Sequence, residues 1–176
     1  MKIVVGLGNC ESKYAHTHHN MGFLVVECLA SKLGVKFKTK ECDSLTAKAF
    51  IKGEPIILAE PQTYMNLSGV AVKQLLAKHK CSPSDLIVAY DDIDLPRYAL
   101  RVRQRGSAGT HNGMRNIIEK IGTEEFARVR VGIGRPPIGM PLADFVLSDV
   151  PKADREQMAS TIEQAADEIA KMVCLQ

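Results

Sequence analysis

The hydrophobic positions of this chain fall into short runs and two distinct periods. Ile3-Val4-Val5 is a compact apolar run ending in Gly6-Leu7-Gly8-Asn9, which reads as a strand entering a glycine turn. Met21, Leu24, Val25, Cys28, Leu29 and Leu33 then recur at helical spacing, and Gly34 supplies a stop. Residues 36–51 and Pro55 to Ala59 read as strands joined by a turn at Gly53-Glu54. After a loop from Pro61, Asn66 stands at the N-cap position of a helix over Leu67 to His79, with Ala71, Val72, Leu75 and Leu76 inward.

Leu86 to Tyr90 is an apolar run between turn signals, the mark of a buried strand, and it gives way to Asp91-Asp92-Ile93-Asp94-Leu95-Pro96. Leu100 and Val102 alternate with Arg101, Arg103 and Arg105, a period of two that predicts a half-buried strand with guanidinium groups on its wet face. The glycine-rich stretch from Gly106 to Gly113 is a flexible loop feeding a helix with Met114, Ile117, Ile118 and Ile121 inward. Ala127 to Ile133 is another strand, with Arg128 and Arg130 on one face and Val129, Val131 and Ile133 on the other. Gly134 to Pro141 is a loop, and Pro151 opens a last helix whose stripe is Met158, Ile162, Ala165, Ala166, Ile169 and Val173. This alternation predicts one α/β domain over residues 1–176, a mixed, mostly parallel twisted sheet flanked by helices on both faces.

Composition changes little in that picture. With 176 residues, 45% hydrophobic and 24% charged, the chain has the balance of an ordinary soluble domain with a real core. The apolar runs are too short for a membrane span, and the N-terminus is not built like a signal peptide, so a cytoplasmic protein is expected. The five cysteines show no Cys-x-x-Cys spacing, which disfavours a disulfide framework or zinc knuckle and fits free thiols. No helix carries a second apolar stripe, so the expectation is a monomer.

Charge is more informative. The net charge is +3, but Arg97 to Arg135 holds eight arginines and Lys120 against three glutamates, while the stretch from Asp149 onward is acidic. A basic middle suits a polyanion such as nucleic acid, and the excess is also small enough for a solvated face.

The candidate chemistry sits where strands give way to loops. Asn9 and His19 follow the first strand, Asn66 follows the strand ending near Ala59, Asp91 follows the strand ending at Tyr90, and His111 and Asn112 lie in the glycine-rich loop. In an α/β sheet these positions can converge on one rim, where a carboxylate can hold an imidazole. An asparagine at a helix start is also an ordinary cap, which applies to Asn20, Asn66 and Asn112. His16, His18 and His19 lack the His-x-x-x-His spacing of a helical metal site, so no metal is expected. Gly6-Leu7-Gly8 lacks the third glycine of a dinucleotide fingerprint, and no Gly-x-Ser-x-Gly elbow occurs. A His/Asp/Asn rim beside an arginine-rich strand fits water-mediated hydrolysis of a substrate attached to nucleic acid.

Six blocks in order carry a resemblance. They are Val5-Gly6-Leu7-Gly8-Asn9; Tyr14 with His19-Asn20-Met21-Gly22; Pro61 to Gly69; Asp91 to Pro96; Gly109 to Gly113; and Arg128 to Gly134. Together they resemble bacterial peptidyl-tRNA hydrolase, from the start of the chain to about Pro151. The resemblance implies hydrolysis of the ester between peptide and tRNA after abortive translation, with peptidyl-tRNA as partner and no cofactor. It implies His19 as general base paired with Asp91. It implies that Asn9, Asn66 and Asn112 hold peptide, water or oxyanion, and that Tyr14, Tyr64 and His111 belong to the substrate site, with His111 and Asp94 as supports. Arg101, Arg103 and Arg130 match positions for tRNA backbone contact, and alternate strand residues lie about 6.6–6.8 Å apart, close to the spacing of successive phosphates.

The chain departs from the family pattern at Cys10-Glu11, where Pro-Gly is usual, at Thr110, where glycine is usual, and at His18, which is often arginine. Two other classes compete: a non-catalytic RNA-binding module on the same fold, which predicts salt-dependent RNA binding without cleavage, and a nucleotide-binding α/β protein.

Overall fold

Ile3, Val4 and Val5 are all fully buried, so the strand that carries them, β1 (Lys2–Gly6), must be covered on both faces. In the computed structural model, which describes residues 1–175, β1 is the middle strand of a seven-stranded sheet of order β2-β3-β4-β1-β5-β7-β6. The others are β2 (Thr39–Glu41), β3 (Ser44–Ile51), β4 (Glu54–Pro61), β5 (Leu86–Asp92), β6 (Leu100–Arg103) and β7 (Ala127–Gly132). The central neighbours β4, β1, β5 and β7 are parallel, and β2, β3 and β6 extend the sheet by antiparallel pairing. Only β3 and β6 run against the rest, so the mixed and mostly parallel sheet expected from the β/α alternation is what forms.

Alternation along β1 divides the core. Val4 packs with Val25, Leu29 and Ile169 under α1 (Met21–Lys32) and α5 (Lys152–Cys174). Ile3 and Val5 pack with Leu75 and Ile117 under α2 (Ser68–Lys78) and α3 (Asn112–Ile121). Helices therefore cover both faces. The α1 helix buries Val26 and Ala30 beyond its predicted stripe, because it lies between the sheet and α5.

Two motif glycines bring this helix onto the sheet. A Cβ on Gly6 would lie 2.2 Å from the carbonyl of Gly22, and one on Gly22 would lie 2.3 Å from that of Ala89. Backbone-to-backbone contact is available only to glycine here. It seats the start of α1, and the turn before it, directly over the ends of β1 and β5.

Several boundaries differ from the sequence expectation. Residues 36–51 form two strands, because Cys42 and Asp43 both take positive φ (52° and 53°) and make a two-residue hairpin turn. Asn66 is not an N-cap: it lies inside a 3-10 turn, Met65–Leu67, and α2 starts at Ser68 with no side-chain cap. The β6 strand ends at Arg103, so Arg105 lies beyond it. A five-residue helix, α4 (Leu142–Val146), forms where the sequence suggested no element. Arg128, on the same strand face as Arg130, is almost wholly buried. Among the described residues, no helix is long and apolar enough to cross a membrane.

Since β4, β1, β5 and β7 are parallel, their carboxyl ends form one rim. The loops after β1 and β4 bring Asn9, the turn at His18–Asn20 and the Met65–Leu67 turn to that side, and the long segment after the antiparallel β6 returns the start of α3 to it.

Candidate active site

Asp91 is the second-last residue of β5 and is only 2% exposed. A carboxylate so deep in the rim needs partners, and it has two imidazoles. Its Oδ2 lies 2.9 Å from His19 Nδ1, and its Oδ1 lies 3.0 Å from His111 Nε2. The His19 and His111 rings lie 5.0 Å apart between centroids, tilted by 49°, and His111 also meets the Tyr90 ring edge-on at 5.0 Å.

The backbone fixes the roles of His111. It is the N-cap of α3, and its Nδ1 accepts the amide proton of Met114 at 3.2 Å. An amide only donates, so Nδ1 carries no proton, and Nε2–H donates to Asp91. His19 is held at the carboxylate through Nδ1, which leaves its Nε2 free toward the cavity.

Electrostatics follow from this. Burial alone would raise the pKa of Asp91, but the charge of protonated His19 and the hydrogen bonds from both histidines outweigh it and hold the carboxyl well below the usual carboxylate range. Burial is also the largest influence on His19 and would lower its pKa. The charge of Asp91 and the hydrogen bond to it prevail together and raise the pKa above 6.5. Burial pushes the Tyr90 phenol up to about 12, so it stays neutral beside them.

These groups line a cavity of about 420 Å³ whose other walls come from the 107–112 loop, Arg130 and α4. His19, Asp91 and His111 are the one group among the described residues whose nitrogen and oxygen atoms lie within 4.8 Å of one another in the manner of a metal cluster. The Nδ1 of His19 and the Nε2 of His111 are each already spent on the carboxylate. The arrangement is therefore better suited to proton transfer than to a cation.

The other candidate residues are distributed around this centre. Asn112 opens α3 at the cavity edge and is exposed, with its Oδ1 3.4 Å from Arg115 Nη1. Asn9 and Tyr64 line a neighbouring groove of about 510 Å³, and Tyr64 is 75% exposed. Asn66 is exposed beside Tyr64, and among the described residues its side chain makes no hydrogen bond. Tyr14 is half-buried in a 3-10 turn, under Lys13, and lines neither of these two cavities.

Arg101 and Arg130 are cross-strand partners on β6 and β7, as are Arg103 and Arg128, so all four share one sheet face. Arg101 and Arg103 are exposed, whereas Arg130 reaches the cavity and pairs with Asp92 at 2.9 Å. Arg128 lies beneath the glycine-rich loop, donating to the carbonyls of Glu124, Phe126 and Ser107.

Three contributors were not legible as such in the sequence. Asn20 brackets the backbone of Asn9. Asn116 Oδ1 accepts the amide of Gly69 at 2.8 Å, tying the turn of Asn66 to the helix of Asn112. His18 is buried against α4.

The fold and site define an α/β protein with an imidazole–carboxylate centre at the carboxyl rim of its sheet and arginines at one edge. Comparison with known proteins places it more narrowly. The profile of the peptidyl-tRNA hydrolase family matches residues 3–176, and the chain belongs to that family. It is 44% identical over 170 residues to the peptidyl-tRNA hydrolase of Brevibacillus brevis, covering 97% of this chain and 90% of the relative. It is 47% identical over 174 residues to that of Chloroflexus aggregans, covering 98% and 93%. The crystal structure of peptidyl-tRNA hydrolase from Acinetobacter baumannii superposes with a TM-score of 0.85 at 31% identity, covering 98% of this chain and 92% of that one.

Proposed function

We propose that this chain hydrolyses the ester joining a peptide to the 3′ end of tRNA, releasing both after abortive translation. The observation that carries the reading is the His19–Asp91 pair on the cavity wall, in a chain of this family. His19 Nε2 takes a proton from a water as its oxygen attacks the ester carbonyl. The proton then passes to the ribose oxygen as the ester C–O bond breaks. A positioned base of near-neutral pKa is worth about 10²–10⁴ in rate. Ionised Asp91 orients the ring and stabilises the imidazolium, and His111 supports Asp91 from its other oxygen. No covalent intermediate, metal or organic cofactor is required.

Asn9, Asn66 and Asn112 supply amide groups for the peptide, the water or the developing oxyanion; a donor of this kind contributes roughly 3–4 kcal/mol once the bound substrate orders it. The groove at Asn9 and Tyr64 is the place for the peptide, with Tyr14 at its approach. Arg101 and Arg103, with Arg130 nearer the cavity, take the tRNA backbone. The protein acts as a monomer in the cytoplasm on this reading.

The test follows release of a labelled N-acetyl-aminoacyl group from tRNA by purified protein in the presence of a metal chelator, with the free-amine aminoacyl-tRNA as control. Release from the blocked form alone is expected. Retention of the label, with tRNA still bound, would overturn the hydrolase reading in favour of an RNA-binding module.

A further inference from the structure

The residue before His19 carries an arrangement of its own. His18 is 2% exposed, and both of its ring nitrogens are engaged. Nδ1 lies 2.8 Å from the carbonyl of Ser148, and Nε2 lies 3.1 Å from Arg97 Nη2. The ring stacks on Phe145 at 4.4 Å, with 28° between planes. Phe145 belongs to α4, whose Leu142, Ala143 and Val146 form a wall of the cavity.

The backbone reinforces the contact. The amide of His18 donates to the Ser148 carbonyl at 3.1 Å, and the amide of Val150 donates to the His16 carbonyl at 2.9 Å. Arg97 reaches on toward Asp154 of α5, 3.7 Å away. A guanidinium only donates, so Nε2 of His18 is an acceptor, and Nδ1–H donates to Ser148. That is the opposite tautomer to His111. A second proton would have to sit on Nε2, against the guanidinium.

We propose that His18 is a positioning residue for the reaction: its neutral imidazole is a strut that fixes α4, the cavity wall, against the turn carrying His19. This rests on the hydrolase reading of the site. The strut uses three distinct contacts, namely the stack, the hydrogen bond to Ser148 and the hydrogen bond from Arg97. His19 is held separately by Asp91, so loosening the strut changes the wall more than the base. The neutral state is supported by the pKa of His18. Burial, the largest influence, lowers it, the Ser148 carbonyl raises it, and Arg97 lowers it again, for a net value below 6.5.

Two variants and one spectrum test this. His18→Phe keeps the ring stack and removes both hydrogen bonds; KM for N-acetyl-aminoacyl-tRNA should rise roughly tenfold while kcat stays within about threefold. His18→Gln offers an amide donor to Ser148 and an oxygen to Arg97, with about the same spacing as the ring nitrogens. It should bring KM back to within about twofold of wild type. In the wild-type protein with 15N-labelled histidine, His18 should be the neutral Nδ1–H tautomer at pH 7. An unchanged KM in His18→Phe, or a His18→Gln as impaired as His18→Phe, overturns the strut. So does a doubly protonated or Nε2–H ring. An inactive wild-type protein would instead count against the hydrolase reading, and the spectrum would still decide the tautomer.

Discussion

Asn20 holds the backbone of Asn9 from both sides: its Oδ1 accepts the Asn9 amide at 2.8 Å, and its Nδ2 donates to the Asn9 carbonyl at 3.0 Å. Asn20 is 3% exposed, so this pair of hydrogen bonds is sheltered from water. Sitting next to His19, it sets the first loop relative to the imidazole.

Asn20→Ala should therefore act on both stability and substrate binding. It leaves a half-buried amide and carbonyl without partners, at a cost of about 1–3 kcal/mol. Denaturant melts should show that loss, and KM should rise as the Asn9 loop drifts. A variant melting like wild type would show that the bracket contributes little.

Asp91→Asn should fold, since the amide fits the same space, yet lose about 10²–10⁴ in kcat. The remaining imidazoles lose the charge that orients His19. Turnover close to wild type in steady-state assays would remove Asp91 from the mechanism.

The pH profile should separate the influences on His19. Its pKa lies above 6.5, because Asp91 outweighs burial. The base proposed for His19 works deprotonated, so on that reading kcat/KM should rise with pH through an inflection above 6.5. In Asp91→Asn only burial remains, and the inflection should move below that value. The same shift has the reverse effect on stability. Protonated His19 is favoured by folding, so its contribution is full below 6.5 and fades as pH rises through the folded pKa. Urea melts across about pH 6 to 9 on wild type and His19→Gln would expose the difference. Identical slopes in the two would contradict it.

Glu60, on β4, is 5% exposed; burial, then the nearby charge of Glu27 and a hydrogen bond to it, push its carboxyl up to about 9. Between 4.5 and about 9 the folded chain holds a proton that the unfolded chain has released, so stability falls as pH rises across that window. Glu60→Gln should raise the Tm at about pH 8 and do little at about pH 5. Equal effects at both pH values would show that Glu60 ionises freely.

Arg101→Ala with Arg103→Ala should weaken tRNA binding and lower the log–log salt slope by up to about 1.8, roughly 0.9 for each phosphate that is no longer neutralised. Cleavage of a minimal ester lacking the tRNA body should hardly change. Equal losses on both substrates would place the arginines in catalysis or folding.

The strands and helices were largely legible because burial imposes period. The β1 and β5 runs are apolar throughout since both their faces are covered, and α5 shows a single stripe. The placement of His19 and Asp91 followed from the rim of the parallel strands, whereas His111 comes after the antiparallel β6 and reaches that rim through the glycine-rich loop. Other features depend on what a distant segment does. Arg128 and Arg130 alternate identically in the sequence, but only Arg128 lies under the 106–110 loop. Cys42-Asp43 has no glycine to announce a hairpin turn, and α4 is too short to display a period. Asn20 reads as a cap in the sequence, whereas its partner is eleven residues away.

The rim also has a kinetic consequence. Its groups come from Asn9, His19, Asp91 and His111, and the wall comes from Leu142 to Val146, so the centre joins stretches scattered along most of the chain. Loops that long are closed late, after local turns and helices exist. On the proposed reading, a half-folded copy has not yet brought these groups together. Recovery of turnover during refolding should therefore lag the recovery of helix, a delay that stopped-flow refolding would read.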